Sequence, residues 1–117
     1  MFIPNIALYI KPFWGNKILS GEKTWEIRGN STKKREKIGV LYSGSKGFLS
    51  GYVELYDCFQ ISEDDLLNNI DKHCIIDYTH IHYKKKYAWL LKNPVIYDKP
   101  VQIFPKKGAI IWTKINL

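Results

Sequence analysis

Residues 10–28 read IKPFWGNKILSGEKTWEIR. Pro12 sits where a helix can begin, because its missing N–H costs nothing in a first turn. From there Phe13, Lys17 and Ser20 share one side and Trp14, Ile18 and Leu19 another, which predicts a helix of about two turns. Gly21 follows as its C-cap. Beyond it the period changes to two. Trp25 and Ile27 face one way, and Thr24, Glu26 and Arg28 the other, which predicts a strand with one buried and one polar face. Lys23 lies in the turn and can bend toward the polar face. A lysine, a carboxylate and an arginine thus converge within six residues. Lysine can serve as a base or an electrophile where burial or a neighbouring Arg28 lowers its pKa. Glu26 can act as a general base or hold the amino edge of a nucleobase. The same spacing also suits a solvated, salt-bridged strand face. A phosphate-binding P-loop is excluded, since Lys23 does not directly follow a glycine and the upstream glycine spacing is missing.

The flanking sequence predicts more strands. Residues 5–10 (NIALYI) are apolar enough for a buried one. Residues 29–37 form a polar, basic loop. Residues 38–43 and 48–59 read as strands on either side of a GSKG turn, with Leu49, Val53 and Leu55 opposing Tyr52, Glu54 and Tyr56. Ser62 with Asp65 has the form of a capping box, opening an amphipathic helix through EDDLLNNI. Residues 73–86 carry no clear period. Residues 87–91 (YAWLL) read as a short buried strand, Pro94 and Pro100 break the next segment, and residues 109–115 close the chain as a strand. Six or seven short strands with two short helices predict an α+β fold, a small mixed β-barrel forming a single domain over residues 1–117.

Charge is unevenly spread. Residues 1–47 carry nine Lys/Arg against three acids, residues 48–82 one against seven, and residues 83–117 eight against one, for a net charge of +7. If the two ends pair in one sheet, they form a basic face backed by an acidic element, a directed electrostatic footprint. Aromatic residues make up 15% of the chain, which with the basic balance points to nucleic acid as partner. Hydrophobic residues at 45% exclude disorder as the default. The opening MFIPNIALYIKPFW has no charged stretch before its apolar part, and no run approaches a membrane span. Two cysteines are too few for a disulfide framework, so a cytoplasmic location with reduced thiols is expected.

Trp25, Trp89 and Trp112 fall within apolar strands and read as core. Trp14 suits either a lid over a stacked base or a plug under the sheet. Tyr52 and Tyr56 flank Glu54 and could line a cleft or face water. Cys58, His73, Cys74, His80 and His82 lack paired metal spacing, so neither a metal nor another cofactor is expected. The Lys84-Lys85-Lys86 run adds sequence-independent attraction for phosphate.

Residues 10–28, ending in GEKTWEIR, resemble the signature of the ASCH (activating signal cointegrator homology) family, a helix followed by GxKxxExR. GYVELYDC at 51–58 resembles that family's central strand, and YAWLLKNP at 87–94 its C-terminal part. The resemblance implies a PUA-like β-barrel with a cleft beside the helix-to-strand junction. Such domains bind RNA or modified nucleosides, and some small family members are amidohydrolases on N4-acetylcytidine or have been assigned ribonuclease activity. Lys23, Glu26 and Arg28 fall on the motif positions. In the amidohydrolase branch the position of Glu26 is a threonine, and Asp77 lies in the region of its later acid. The expected function is therefore RNA or nucleoside binding in a basic cleft, with Lys11, Trp14, Arg28 and Tyr52 as ligand contacts. The alternative is a hydrolase on N4-acetylcytidine or RNA, with Lys23 and Glu26 catalytic.

Overall fold

The computed structural model describes residues 1–78 and 81–117. β1 (Ile6–Ile10) leads into α1 (Pro12–Leu19), then β2 (Trp25–Arg28), β3 (Glu36–Tyr42) and β4 (Phe48–Ile61). Two short helices follow, α2 (Glu63–Asn68) and α3 (Ile70–His73), before β5 (Lys86–Gln102) and β6 (Trp112–Lys114). The strands form one six-stranded sheet in the order β2-β5-β4-β3-β1-β6. The fold is α+β as expected, with a third helix, and the sheet is curved rather than closed, since β2 and β6 stand at its two ends.

β1 and β3 are parallel, and the other neighbours are antiparallel. A parallel pair needs a long crossover, and α1 and β2 are carried on it. The two ends of the chain do pair, with Ala7 opposite Thr113 in the β1–β6 ladder.

Alternation sorts each strand between layers. Leu8 and Ile10 join Ile18, Leu19, Ile38, Val40, Trp89 and Leu91 in the cluster beneath α1. Ala7, Leu41, Leu49, Tyr97 and Ile103 form a second cluster on the opposite face. Trp25 and Ile27 pack with Ile61, Leu66 and Ala88 in a third, beneath α2. α1 seats tightly because Gly15 has no side chain: a Cβ there would lie 2.4 Å from the Tyr42 ring. Its stop is the left-handed Gly21 (φ 85°), whose N–H bonds Ile18 O at 3.1 Å. Ser62 Oγ accepts from Asp65 N–H while the Asp65 carboxylate accepts from Ser62 N–H, completing the capping box of α2.

β5 departs most from expectation. It runs for 17 residues straight through Pro94 and Pro100. Its pairing with β2 ends at Leu90, so further along the strand is bonded to β4 alone, and a proline lacking an N–H is tolerated on such an edge. Asn93, with φ 53°, takes up a shift in the β4 register. The closing strand is shorter than the expected 109–115, because only Trp112–Lys114 pair with β1. His80 lies outside the described residues.

Candidate functional site

The turn at Gly21 brings the chain back toward α1. Lys23 N–H bonds Lys17 O at 2.9 Å, Thr24 N–H bonds Lys72 O at 2.9 Å, and Leu91 N–H bonds Thr24 O at 2.9 Å. These bonds hold residues 23–24 between α1, α3 and β5. β2 then pairs with β5 so that Glu26 stands directly across from Trp89. Glu26 and Arg28 therefore share the face of the sheet that α1 covers, while Trp25 and Ile27 turn to the α2 side.

The three charged side chains meet there. Arg28 Nε donates to Glu26 Oε2 at 2.9 Å, and Arg28 Nη2 lies 2.8 Å from the same oxygen. Lys23 Nζ stands 3.6 Å from Glu26 Oε1. The carboxylate is thus shared by two cations, and the group carries a net positive charge. It is not the solvated strand face that spacing alone also allowed: Lys23 is 1% and Glu26 6% exposed. Burying charges costs several kcal/mol per ion unless partners compensate, and each charge has them. Arg28 Nη2 also donates to Tyr9 O at 3.2 Å, and its guanidinium lies 5.6 Å from the Trp89 ring centre. Lys23 Nζ donates to His73 O at 2.6 Å and lies 4.8 Å from the centre of the Trp14 ring. Burial holds the Lys23 ammonium below the ordinary lysine range, and Arg28 adds to that, while Glu26 and Cys74 oppose it.

Above this group opens a cleft of about 570 Å³, a size suited to a small organic ligand. Lys11, Trp14, Lys23, Glu26 and Arg28 all line it, so five of the six residues singled out from sequence come together. Tyr52 does not line it. It packs on the opposite face, edge-on to Phe2 at 5.0 Å and near Tyr97, with Lys37 Nζ 5.9 Å from its ring. Glu54 and Tyr56 are also absent from the cleft, since Glu54 pairs with Lys92 at 3.4 Å and Lys92 Nζ lies over Tyr56. The described lining carries Lys11, Lys23 and Arg28 against Glu26 and Asp77, so the cleft is close to balanced in charge rather than strongly basic. Its rim is apolar: Phe13, Ile76 and Ile110, from three separate segments, are 62%, 84% and 83% exposed. Among the described residues, no three His, Cys, Asp or Glu side chains cluster to hold a metal ion, and no helix is long and apolar enough to cross a membrane.

Periodicity gave no sign of the segment that closes the cleft after α3; of it only Asp77, which the resemblance put in the region of a later acid, was singled out, and Asp77 lines the cleft. His73 is fully buried; its Nδ1 accepts from Ile75 N–H at 2.9 Å, so the proton sits on Nε2, which donates to Leu66 O at 2.6 Å. The left-handed Cys74 (φ 62°) turns the chain so that residues 74–77 line the cleft. No spacing announces this, because Lys23 and His73 are 50 residues apart.

The buried imidazole carries a pH prediction. Burial, aided by Lys23, pushes the His73 pKa below its ordinary value against the opposing pull of Leu66 O and Asp71. The unfolded chain then takes up a proton that the folded chain refuses, so stability is fully present above about pH 6.5 and falls as pH drops through that value. Urea unfolding from pH 7.5 to 5.5 should show the midpoint declining across this span. A level or rising midpoint would contradict the buried neutral imidazole.

The lysine, glutamate and arginine of the GxKxxExR stretch thus stand together at the head of a cleft beside α1. The fold has counterparts among solved structures. The structure of an ASCH protein from Zymomonas mobilis superposes with a TM-score of 0.73 at 16% identity, covering 95% of this chain and 87% of that one. Its serine-to-alanine variant gives 0.74 at 16% identity, over 97% of this chain and 92% of the other. Its tyrosine-to-phenylalanine variant gives 0.74 at 16% identity, over 95% and 89%. No curated protein shows a significant match. Residues 8–101 match the ASCH domain, which spans most of the sequence and all three charged positions; the chain belongs to the ASCH domain family.

Proposed function

We propose that the cleft binds RNA or a nucleoside, with a base held near Trp14 above Arg28 and Glu26. The observation that supports this best is the buried, net-positive Lys23–Glu26–Arg28 group at the head of a ligand-sized cleft bordered by flat rings. Arg28 is its most accessible member, with 20% of its side chain exposed. A guanidinium backed by a carboxylate is held in one orientation and can donate to a base edge or a phosphate. The near balance of charge in the cleft suits an uncharged base there. Phosphates would be gripped outside it by the lysines of the two end segments.

A hydrolase is the second reading, favoured by the depressed pKa of Lys23. In that role Lys23 would polarise the scissile bond and Glu26 would activate water. The geometry tells against Glu26 as a free base, since its carboxylate is drawn between two cations. Deacylation of N4-acetylcytidine is expected to be weak or absent.

The test is incubation with a panel of nucleosides, N4-acetylcytidine and short single-stranded RNAs, with mass spectrometry of both bound and altered species. Recovery of unaltered ligand supports the binder, and turnover supports the hydrolase. RNA affinity should fall steeply with salt, each phosphate contact adding about 0.7 to the log–log slope. An affinity indifferent to salt, or none at low salt, would remove the electrostatic part of the proposal.

A further inference from the structure

His73 has every polar group engaged and no solvent contact. Its N–H bonds Asn69 O at 3.1 Å, and its Nε2 and Nδ1 bond Leu66 O and Ile75 N–H. Its carbonyl is what the Lys23 ammonium reaches at 2.6 Å, the shortest contact that ammonium makes. That carbonyl belongs to the last residue of α3, next to the left-handed Cys74, in the turn bridged by the Nδ1 bond to Ile75. A short helix of four residues has little rigidity of its own. The imidazole ties it to α2 on one side and to the following segment on the other.

We infer that His73 is a positioning residue: its two ring bonds fix the turn that aims its own carbonyl at Lys23, and so set where the Lys23 ammonium sits beneath Trp14. The functional meaning rests on the cleft being the binding site, but the geometry does not. Protonating the ring would place a donor against Ile75 N–H, break that bond and loosen both the carbonyl and the cleft wall at 74–77. The charged and titratable groups facing the ring are Lys23 from the turn before β2, Asp71 from α3 itself and Tyr78, whose ring is 6.4 Å away. α2 contributes the Leu66 carbonyl.

The test needs no ligand, so it is independent of the binding proposal. In protein with ¹⁵N-labelled lysine, the Lys23 ammonium should exchange its protons far more slowly than the exposed lysines at neutral pH. His73→Leu removes both ring bonds at similar size and should speed that exchange by at least about tenfold, the equivalent of one charge-assisted hydrogen bond. His73→Asn places an acceptor where Nδ1 stood, restoring the partner of Ile75 N–H, and should recover most of the protection. A role in packing alone gives no such rescue. In the wild type, the Lys23 and Ile75 signals should shift together as the His73 ring titrates. The inference is overturned if Lys23 exchanges as fast as surface lysines, or if folded His73→Leu leaves it protected. It is also overturned if the ring titrates with Lys23 unmoved, or if neither variant folds and the wild type unfolds as His73 charges, which would make His73 a core residue only.

Discussion

Glu26→Gln should lower the unfolding free energy by about 3–5 kcal/mol, more than a typical surface charge could. The side chain keeps its shape, so the loss is electrostatic. Glu26 is the carboxylate between Lys23 at 3.6 Å and Arg28 at 2.8 Å, and Lys23 is 1% exposed. Without it the buried Lys23 ammonium faces the Arg28 guanidinium with no carboxylate between them. The destabilisation should ease at alkaline pH. A buried lysine stripped of its partner has a folded pKa further below its unfolded one, and stability is recovered as pH rises through the folded value. Combining Glu26→Gln with Lys23→Met should cost less than Glu26→Gln alone, because the second change removes an uncompensated charge. Urea unfolding of the parent, the single variant and the double variant measures this. A single variant within about 0.5 kcal/mol of the parent would show that the carboxylate is dispensable.

Trp89→Ala should be of similar size, about 3–5 kcal/mol, and should also reach the cleft. The Trp89 ring is 3% exposed, lies parallel to Trp112 with centres 5.6 Å apart, and donates from Nε1 to Asn30 O at 2.9 Å. It therefore ties β5 to the end strand β6 and to the loop after β2. The Arg28 guanidinium lies over the same ring, 5.6 Å from its centre, so truncation also removes the surface that keeps the guanidinium beside Glu26. Trp89→Phe keeps a ring and loses the N–H, which should cost only about 1–3 kcal/mol. Thermal unfolding orders the two, and equal losses would mean that the indole N–H, not the ring, carries the stability.

What could be read from the residues alone was local. The helix at Pro12, the period change after Gly21 and the Ser62–Asp65 box are fixed by neighbours a few positions apart, and each stands in the fold. The shared face of Glu26 and Arg28 and the core role of Trp25 followed from alternation, and the core role of Trp89 from the apolar run around it. Tyr52 was misplaced because alternation says which residues share a face but not which face meets α1. Pro94 and Pro100 looked like breaks because a proline's fit depends on whether its strand has a partner on that side, which only the assembled sheet decides. The burial of Lys23 was hidden for the same reason, since it depends on α3 arriving from 50 residues away.

β2, which carries Glu26 and Arg28, is the end strand of the sheet, and among the described residues its backbone ladder is with β5 alone. β4, by contrast, is flanked on both sides from Leu49 to Leu55. Opening of a folded chain proceeds from its least anchored parts. Four residues on one ladder, steadied by the bond from Thr24 to Lys72, are such a part. The ion group and cleft can thus come apart while the central ladders stay intact. Amide exchange should rank β2 ahead of β3 and β4, so a sample whose circular dichroism is still native could already have lost its site.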